Sequence, residues 1–517
     1  MTDRVDPTLA LASGPPESRW RAPVLMTAFA LLLTAVFLFG VWPFNSGMTL
    51  VAAIGLLASA AALADRPSAG LLAGSRLGRG LVLGGLAMAL LSLLGLSQLI
   101  PAEILFWVST GAVCAGTLLI ARENYGRGPA GIRNHGTFTS PMYTRGAVAW
   151  IAAVVLTGFY VLLYWFPQTL EGLIRTFDPV AYLLRGSAAD QWFMYGTLYS
   201  LAVLVMGVRA LYRYRHDRYQ KWRTVSVIIA QGVLAYIIPQ LLVMFNEPEF
   251  YFTYFWPLKP EYLWPGDFGS GWIWNHPGRL GRFMVIWGAV VAIVGVPILT
   301  YFFGKRWYCS WVCGCGCLAE TAGDPYRHLA DSSLRAWQIE RWMIHGVLVI
   351  VTVGTALLWI NSAMEGGLLG SFSGAYARVY GFVFGSVWAG VIGVGFYPLM
   401  GARVWCRFGC PQAAVLGLIQ RFFSRFRITT NGGQCISCGN CTTYCEMGID
   451  VRWYAQRGQN IVRASCVGCG ICASVCPRGV LKLENSSRTG RLNGPVLIAS
   501  DEVDVLEEDW AASVSWK

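Results

Sequence analysis

Residues 435–477 read CISCGNCTTYCEMGIDVRWYAQRGQNIVRASCVGCGICASVCP and contain two copies of one cysteine spacing. The first C-x2-C-x2-C-x3-C run consists of Cys435, Cys438, Cys441 and Cys445. The second run consists of Cys466, Cys469, Cys472 and Cys476, and Pro477 follows it. Eight cysteines in a repeated spacing indicate metal binding, because cysteines that only fill a hydrophobic core would not recur at fixed intervals.

The spacing is that of bacterial ferredoxins with two clusters, in which the fourth cysteine of each run binds the other cluster. We therefore predict two [4Fe–4S] clusters with crossed ligand sets. The first predicted set is Cys435, Cys438, Cys441 and Cys476. The second predicted set is Cys466, Cys469, Cys472 and Cys445. Structural zinc and a disulfide framework are the alternatives, but zinc sites rarely repeat this spacing, and a bacterial cytosolic face disfavours disulfides.

The composition of the rest of the chain indicates a membrane protein. The 517 residues are 55% hydrophobic and only 13% charged, and the mean hydropathy is +0.49, which excludes an ordinary soluble domain. The net charge of +12 would also suit a nucleic-acid partner. However, the basic residues stand mainly at the ends of apolar segments, as the positive-inside rule requires, so we expect no nucleic acid. We expect no signal peptide in the polar residues 1–22 and the apolar run after them, and that run is predicted to span the membrane.

About twenty apolar residues cross a bilayer, and ten runs of the chain approach or reach that length. They lie at 23–42, 48–64, 80–100, 103–121, 146–166, 192–212, 224–245, 281–303, 342–360 and 380–401. The connections at 65–79, 122–145 and 213–223 are rich in arginine, whereas those at 167–191 and 246–280 are not. Charge therefore places the ferredoxin stretch and both termini on the cytoplasmic face of a bacterial inner membrane. The aromatic connection from Asn246 to His276 then lies outside, as an interfacial belt or as a platform for quinol or an extracytoplasmic partner.

Two further cysteine motifs follow predicted spans, and topology places both at the cytoplasmic membrane edge. They read GKRWYCSWVCGCGC at 304–317 and RVWCRFGCP at 403–411. The candidate metal-binding or redox-active thiols are Cys309, Cys313, Cys315, Cys317, Cys406 and Cys410. A helical backbone would bring each C-x3-C pair to one face, and a helix starting at Pro411 would favour a thiolate at Cys410. A further metal site, a copper site using the C-x-C steps, a redox thiol pair and plain buried thiols are all open.

The predicted fold is a mainly α membrane protein of about ten transmembrane helices with a small α+β bacterial-type 2[4Fe–4S] ferredoxin domain. The predicted divisions are a cytoplasmic segment at 1–22, a four-helix membrane module at 23–121, a six-helix core at 146–428, the ferredoxin domain at 429–490 and an acidic tail at 491–517. Charged residues and the change from apolar to cysteine-rich sequence set these boundaries.

Paired C-x3-C motifs followed by two ferredoxin runs resemble the NapH/NosR/CcoG group of membrane-bound polyferredoxins, over roughly residues 146 to 490. The chain departs from that group at Glu446 and Gly314, where proline is usual, and in the added Cys315 and Cys317. The resemblance implies electron transfer between membrane quinol and a metalloenzyme, or redox service to metal-centre assembly.

The cofactors expected here are the two clusters, with a further metal as an option at the C-x3-C cysteines. Some members of the group carry a covalent flavin on an S-G-A-T-like motif, but Ser373-Gly374-Ala375-Tyr376 lacks the threonine, so we expect no covalent flavin. His345 is the single histidine inside a predicted span, so we also expect no bis-histidine haem.

A [4Fe–4S] cluster moves one electron at a time, so the function predicted for the chain is electron transfer. We expect a relay between the quinone pool and a redox partner protein, acting as a subunit of an oxidoreductase system rather than as a stand-alone enzyme. The alternative is an assembly factor that reduces or delivers a metal such as copper to a respiratory metalloenzyme.

Overall fold

The computed structural model describes residues 76–93, 100–126, 143–266, 269–370 and 372–485. The predicted spans at 23–42 and 48–64, the segment 1–22 and the tail 491–517 lie outside the described residues. The division into domains therefore stays a prediction.

Eight helices in the described part of the chain are long and apolar enough to cross a membrane. Their bounds are Arg76–Leu93, Ala102–Gly126, Ala147–Trp165, Gln191–Arg213, Arg218–Met244, Leu280–Phe303, Leu334–Ala363 and Phe372–Ile392. Each overlaps one of the predicted apolar runs. The mainly α, multi-pass membrane fold is thus confirmed.

The α-helices differ widely in length, because the spans are broken by turns and the cysteine motifs form short pieces. In chain order they are α1 (Arg76–Leu93), α2 (Ala102–Ala121), α3 (Ala147–Trp165), α4 (Glu171–Arg175), α5 (Asp178–Arg185), α6 (Gln191–Arg213), α7 (Arg218–Ile229), α8 (Ile238–Met244), α9 (Gly271–Trp274), α10 (Leu280–Val290), α11 (Val296–Phe303), α12 (Arg306–Cys309), α13 (Gly314–Glu320), α14 (Leu334–Ala363), α15 (Phe372–Tyr380), α16 (Tyr397–Met400), α17 (Val404–Phe408), α18 (Pro411–Phe422), α19 (Asn440–Thr443), α20 (Val451–Gln456) and α21 (Ile471–Ser474). Wider π-helical turns interrupt or extend four spans, at Arg122–Gly126, Ala230–Ile237, Val291–Gly295 and Gly381–Ile392. Single 3-10 segments lie at Pro167–Leu170, Pro260–Leu263, Asp324–Leu329 and Gly432–Gln434.

The ferredoxin module is closed by a two-stranded antiparallel sheet, which pairs its first and last residues. Strand β1 (Arg427–Thr430) runs against β2 (Leu481–Glu484), with Arg427 opposite Glu484 and Thr430 opposite Leu481. Between the strands lie the short helices α19, α20 and α21, so the module is small and α+β as predicted. Its buried core continues into the membrane part through contacts that include Phe426 and Tyr308.

The first C-x3-C segment lies inside the helical bundle and not at its edge, which corrects the sequence-based placement. The hydroxyl of Tyr199, nine residues into the span Gln191–Arg213, donates a 2.7 Å hydrogen bond to the carbonyl of Gly314. Asp324, ten residues after Gly314, forms an ion pair with Arg209 near the end of that same span. The segment therefore enters the bundle to mid-depth and leaves again, which a membrane tolerates where irregular backbone is buried in protein.

The aromatic connection at 246–280 also differs from its prediction, because part of it reaches the cysteine motif. The Tyr308 hydroxyl donates a 2.7 Å hydrogen bond to the carbonyl of Thr253, and the Phe255 ring packs against Tyr308 and Trp307. Several of its large rings are buried, including Phe250, Phe255, Tyr262 and Trp264. A connection that was expected on the opposite face from the C-x3-C motifs thus covers one of them.

Candidate metal centres

The ferredoxin cysteines surround two separate cavities. The first is lined by Cys435, Cys438, Cys441 and Cys476. The second is lined by Cys445, Cys466, Cys469 and Cys472. These are the two crossed groups that the spacing predicts, and Cys445 and Cys476 are the residues exchanged between the runs. Ligation by each named cysteine stays a prediction.

The residues around both cavities fit a [4Fe–4S] cluster in their chemistry. Each cavity offers four thiols, the usual ligand set of such a cluster, among apolar side chains such as Val480 and Ile449. The backbone N–H of Ile449 donates to the sulfur of Cys445 at 3.4 Å, the kind of bond that tunes a cluster. Burial raises the pKa of the Cys445 thiol to about 12, so its thiolate form requires the positive charge of a bound metal.

The second cysteine run is fixed to the membrane part by hydrogen bonds to its backbone carbonyls. Ser310 donates to Val467 and Gln220 donates to Cys469, each at 2.8 Å. Gln420 donates at 2.8 Å to the carbonyl of Cys466. The cavity of Cys445, Cys466, Cys469 and Cys472 therefore faces the bundle, whereas the other cavity opens at the surface, where Cys438 is exposed.

The two C-x3-C motifs are structural repeats. Each begins with a glycine in the left-handed region, Gly304 at φ +69° and Gly401 at φ +89°, and five residues later comes the first cysteine, Cys309 or Cys406. In both repeats a turn then breaks the helix before the second cysteine, which immediately precedes α13 or α18. The cysteines of a pair thus stand on either side of a turn. They are not i and i+4 on one helix face, as a helical backbone would have placed them.

The sequence predicted that the helix starting at Pro411 would favour a thiolate at Cys410, but the surroundings of Cys410 favour the protonated thiol. Pro411 begins α18 as predicted, and the sulfur of Cys410 caps that helix by accepting the N–H of Ala413 at 3.4 Å. Burial nevertheless raises the pKa of the Cys410 thiol well above its usual value. In the first repeat, the hydrogen bond from Cys315 instead lowers the pKa of the Cys313 thiol.

The spacing of the thiols argues against one ion bound by three or more of them. A zinc-like tetrahedral ion with sulfur ligands at about 2.3 Å holds them about 3.8 Å apart. Among the described residues, the one triplet of potential ligand atoms within 4.8 Å of one another is Glu320, Glu446 and Cys469, and no triplet of thiols is that close. No triplet of ferredoxin thiols among the described residues is that close either, which agrees with sulfurs that bind different irons of one cluster. Cys317 stands apart from the other thiols of the motifs, since it packs in a core with Val203 and Val227.

A buried charge network that sequence reasoning missed surrounds these sites. Its members are Arg209, Arg213, Arg223, Arg327, Arg403, Glu320, Asp324 and Glu446. Asp324 accepts from three of the arginines, and Glu320 pairs with the other two and with Arg327. Five guanidinium groups face three carboxyl groups, so positive charge is in excess in the network.

Two arginines of the network lie close to cysteine sulfurs. Arg403 lies 3.6 Å from the sulfur of Cys406, and Arg327 lies 3.9 Å from that of Cys469. Both guanidinium groups also pair with Glu446, at 3.0 and 2.7 Å. Glu446 is therefore the carboxylate that joins the C-x3-C repeats to the second ferredoxin cavity.

The arginines decide which carboxyls of the network ionise. Burial alone would raise the pKa of Asp324 and of Glu320, but the neighbouring guanidinium groups hold the pKa of both carboxyls well below the usual range. For Glu446 burial prevails and raises the pKa. Two of the three acids are thus firmly anionic counter-charges for the arginines.

Gly316 lets α13 pack closely against Cys309 of its own repeat and beside Arg403 of the second repeat. A Cβ atom at this position would lie 2.1 Å from the carbonyl oxygen of Cys309 and 3.2 Å from a guanidinium nitrogen of Arg403. We expect Gly316→Ala to push α13 away and destabilise the protein by about 1–3 kcal/mol, as overpacking does. Thermal unfolding in detergent measures this, with Gly346→Ala as the control, because its Cβ meets nothing within 4 Å. Equal stability of Gly316→Ala and the control would contradict the close approach.

Two family models match these regions of the chain. A 4Fe-4S dicluster domain matches residues 434–481, and a 4Fe-4S binding domain matches residues 286–330 and 380–429. The second match covers both C-x3-C repeats. The chain is a 4Fe-4S ferredoxin-type membrane protein. Its cysteine motifs hold 4Fe-4S clusters, the cofactor that the sequence predicted for the two ferredoxin runs.

This ferredoxin-type protein is related to several named bacterial proteins. It is 28% identical over 173 residues to YccM of Escherichia coli, named as an electron transport protein; the match covers 31% of this chain and 46% of that one. It is 26% identical over 209 residues to the methylamine utilization ferredoxin-type protein MauN of Paracoccus denitrificans, covering 37% and 69% of the two chains. It is 28% identical over 168 residues to the ferredoxin-type protein NapH of E. coli, covering 30% and 54%. The matches thus span about half of YccM and NapH, and no solved structure matches the chain.

Proposed function

We propose that this protein is a membrane electron relay between the quinone pool and a partner redox protein. The observation that carries the proposal is the order of the cysteine groups. The C-x3-C thiols lie inside the bundle, the second ferredoxin cavity is fixed against them, and the first opens at the surface with Cys438 exposed. Such an order suits one-electron steps between a membrane carrier and a soluble or peripheral partner.

The assigned ligands follow from the cavities and the spacing. Cys435, Cys438, Cys441 and Cys476 would hold the outer cluster, and Cys445, Cys466, Cys469 and Cys472 the inner one. We assign a third 4Fe-4S cluster to the C-x3-C repeats, with Cys309, Cys313, Cys406 and Cys410 as ligands. Four buried thiols from two repeats support this, together with sulfur spacings that do not suit one copper or zinc ion.

The buried arginines fit this assignment because a cluster with four thiolate ligands is an anionic centre. Arg403 and Arg327 place positive charge within 4 Å of one sulfur in each of two neighbouring sites. Positive charge there stabilises thiolates and favours the addition of an electron. Glu320 accepts hydrogen bonds from both guanidinium groups, and Glu446 forms ion pairs with both, so the two acids hold the arginines in place.

The partner would dock at the exposed outer cavity. Ile436 lines this cavity and Trp453 follows the lining residue Arg452, and the two apolar side chains are 59% and 42% exposed. Arg452 lines the same cavity, and Arg457 lies over the Trp453 ring. An acidic partner surface with an apolar centre would match this face, and the positive-inside pattern of the sequence supports a cytoplasmic position for it.

Anaerobic reduction of the full-length protein in lipid nanodiscs tests the relay. We expect menadiol to bleach the cluster absorbance reversibly and an added ferricyanide-type acceptor to restore it. A Cys466→Ser variant should lose part of the reducible absorbance, because one cluster loses a ligand. Clusters that dithionite reduces but that quinol cannot reduce, even in membranes containing the natural partners, would overturn the proposal.

A further inference from the structure

A cleft of about 300 Å³ separates the helices α14 and α18 from the ferredoxin module. Ile344 and His345 of α14, Leu418 and Phe422 of α18, and Met447 of the module lie along it. Its size is at the lower end of the range for small-molecule sites. None of the cysteine groups described above lies in it.

The cleft stands at the membrane boundary. The span Leu334–Ala363 has 30 residues, about ten more than a bilayer requires, and its charged residues all precede His345. Its first turns therefore project beyond the hydrocarbon. Ile344 and His345 lie where the span enters the lipid, so a ligand with an apolar tail can reach the cleft from the membrane.

The floor of the cleft adjoins two of the cluster sites. Lys305 lines it. The backbone carbonyl of Lys305 accepts the N–H of Cys309 at 3.1 Å, and its Nζ donates to the carbonyl of Ala464 at 3.3 Å. Met447 lines both this cleft and the cavity of the inner cluster. A redox-active ring in the cleft would thus lie next to both the C-x3-C thiols and the inner ferredoxin thiols.

The walls combine an aromatic platform, positive charge and one available proton acceptor. Trp337 lies between Arg341 and Arg463, whose guanidinium carbons stand 5.0 and 4.9 Å from its ring. Nδ1 of His345 contacts the carbonyl of Arg341 at 2.6 Å, and its Nε2 has no hydrogen-bond partner among the described residues. The carboxylate of Glu340, the one acid in the lining, is already paired with Arg407 and Ser465.

We propose that this cleft binds the ring of a membrane hydroquinone and that His345 accepts a proton from it. The inference rests on the proposed relay and names its membrane-side site. Oxidation of one hydroquinone to quinone breaks two O–H bonds and releases two protons and two electrons. Nε2 of His345 takes one proton and solvent at the cleft mouth takes the other. The two electrons need two one-electron acceptors, which 4Fe-4S clusters held by the neighbouring cysteines would supply. The basic side chains, including Arg421, stabilise the negative charge that develops on the ring oxygen.

A phospholipid headgroup is the main competing occupant, because basic pockets at membrane edges also bind anionic lipids. A lipid phosphate has no need of an unpaired imidazole nitrogen or of a wall shared with a cluster cavity. Those two features favour a ring that exchanges protons and electrons.

Two variants test the site in the full-length protein in nanodiscs. Leu418→Trp fills the cleft, and His345→Gln removes the proton acceptor while keeping a polar side chain. Ile339→Trp and Arg335→Gln are the matched controls, since both residues are exposed on α14 and neither lines the cleft. Quinone and phospholipid phosphate are extracted and counted per chain, menadiol reduction rates are recorded, and dithionite reports cluster integrity.

We expect Leu418→Trp to lose most of the bound quinone, and His345→Gln to keep it but to be reduced by menadiol at least about tenfold more slowly. Both should retain their dithionite-reducible absorbance, and the controls should behave like the wild type. Unchanged quinone content in Leu418→Trp, or loss of lipid phosphate in place of quinone, overturns the assignment. If menadiol fails to reduce even the wild type in membranes containing the natural partners, the relay itself is wrong, whereas the quinone count still decides whether the cleft is the binding site.

Discussion

Glu320→Gln is expected to destabilise the protein by about 3–5 kcal/mol, the largest effect of any single substitution proposed for this chain. Glu320 is 1% exposed and pairs with Arg223, Arg327 and Arg403. The substitution keeps the size of the side chain but leaves three buried guanidinium groups short of one counter-charge. Thermal unfolding of the purified protein in detergent and its accumulation in membranes both measure the loss.

Two comparisons separate the charge from general damage to the fold. Glu171→Gln removes the partner of Arg175 in an exposed pair, and surface pairs contribute little, so its stability should match that of the wild type. Adding Arg223→Gln to Glu320→Gln should recover part of the loss, because it removes one uncompensated charge. Wild-type stability of Glu320→Gln would show that the network does not depend on this carboxylate.

The features that the sequence predicted well depend on local sequence patterns. The cysteine runs at 435–477 depend on spacing within a few residues, and the spans depend on the length of apolar runs. The helix start at Pro411 also follows from one residue, since proline fits the first turn. Local chemistry therefore predicted the cluster type, the membrane class and the α+β module.

What the sequence could not predict are pairings between distant segments. Arg213 and Arg223 were interpreted as a basic loop at the membrane surface, yet they are buried against Asp324 and Glu320, roughly 100 residues away along the chain. Glu446 looked like a departure from a family motif, and its role is visible only where Arg327 and Arg403 converge on it. The depth of Gly314 in the bundle could not be predicted either. A hydropathy pattern detects spans that cross the membrane, but it does not detect a segment that enters the bundle and leaves on the same side.

Replacing Cys309, Cys313, Cys406 and Cys410 together by serine is the second change with a large expected effect. Each 4Fe-4S cluster contains four irons, so the protein should lose about four irons while both ferredoxin clusters remain. The four thiols are buried in two structural repeats, whereas Cys317 packs in a separate core and Cys114 lies in α2. Cys317→Ser and Cys114→Ser are therefore the matched controls and should keep the full iron content.

Iron and acid-labile sulfide, counted per chain in anaerobically purified full-length protein, test the central claim of a three-cluster path most directly. The account predicts about twelve of each in the wild type and about eight in the fourfold serine variant, with EPR signals of the ferredoxin clusters in both. About eight irons in the wild type, unchanged by the four substitutions, would contradict it, because the C-x3-C repeats would then hold no cluster.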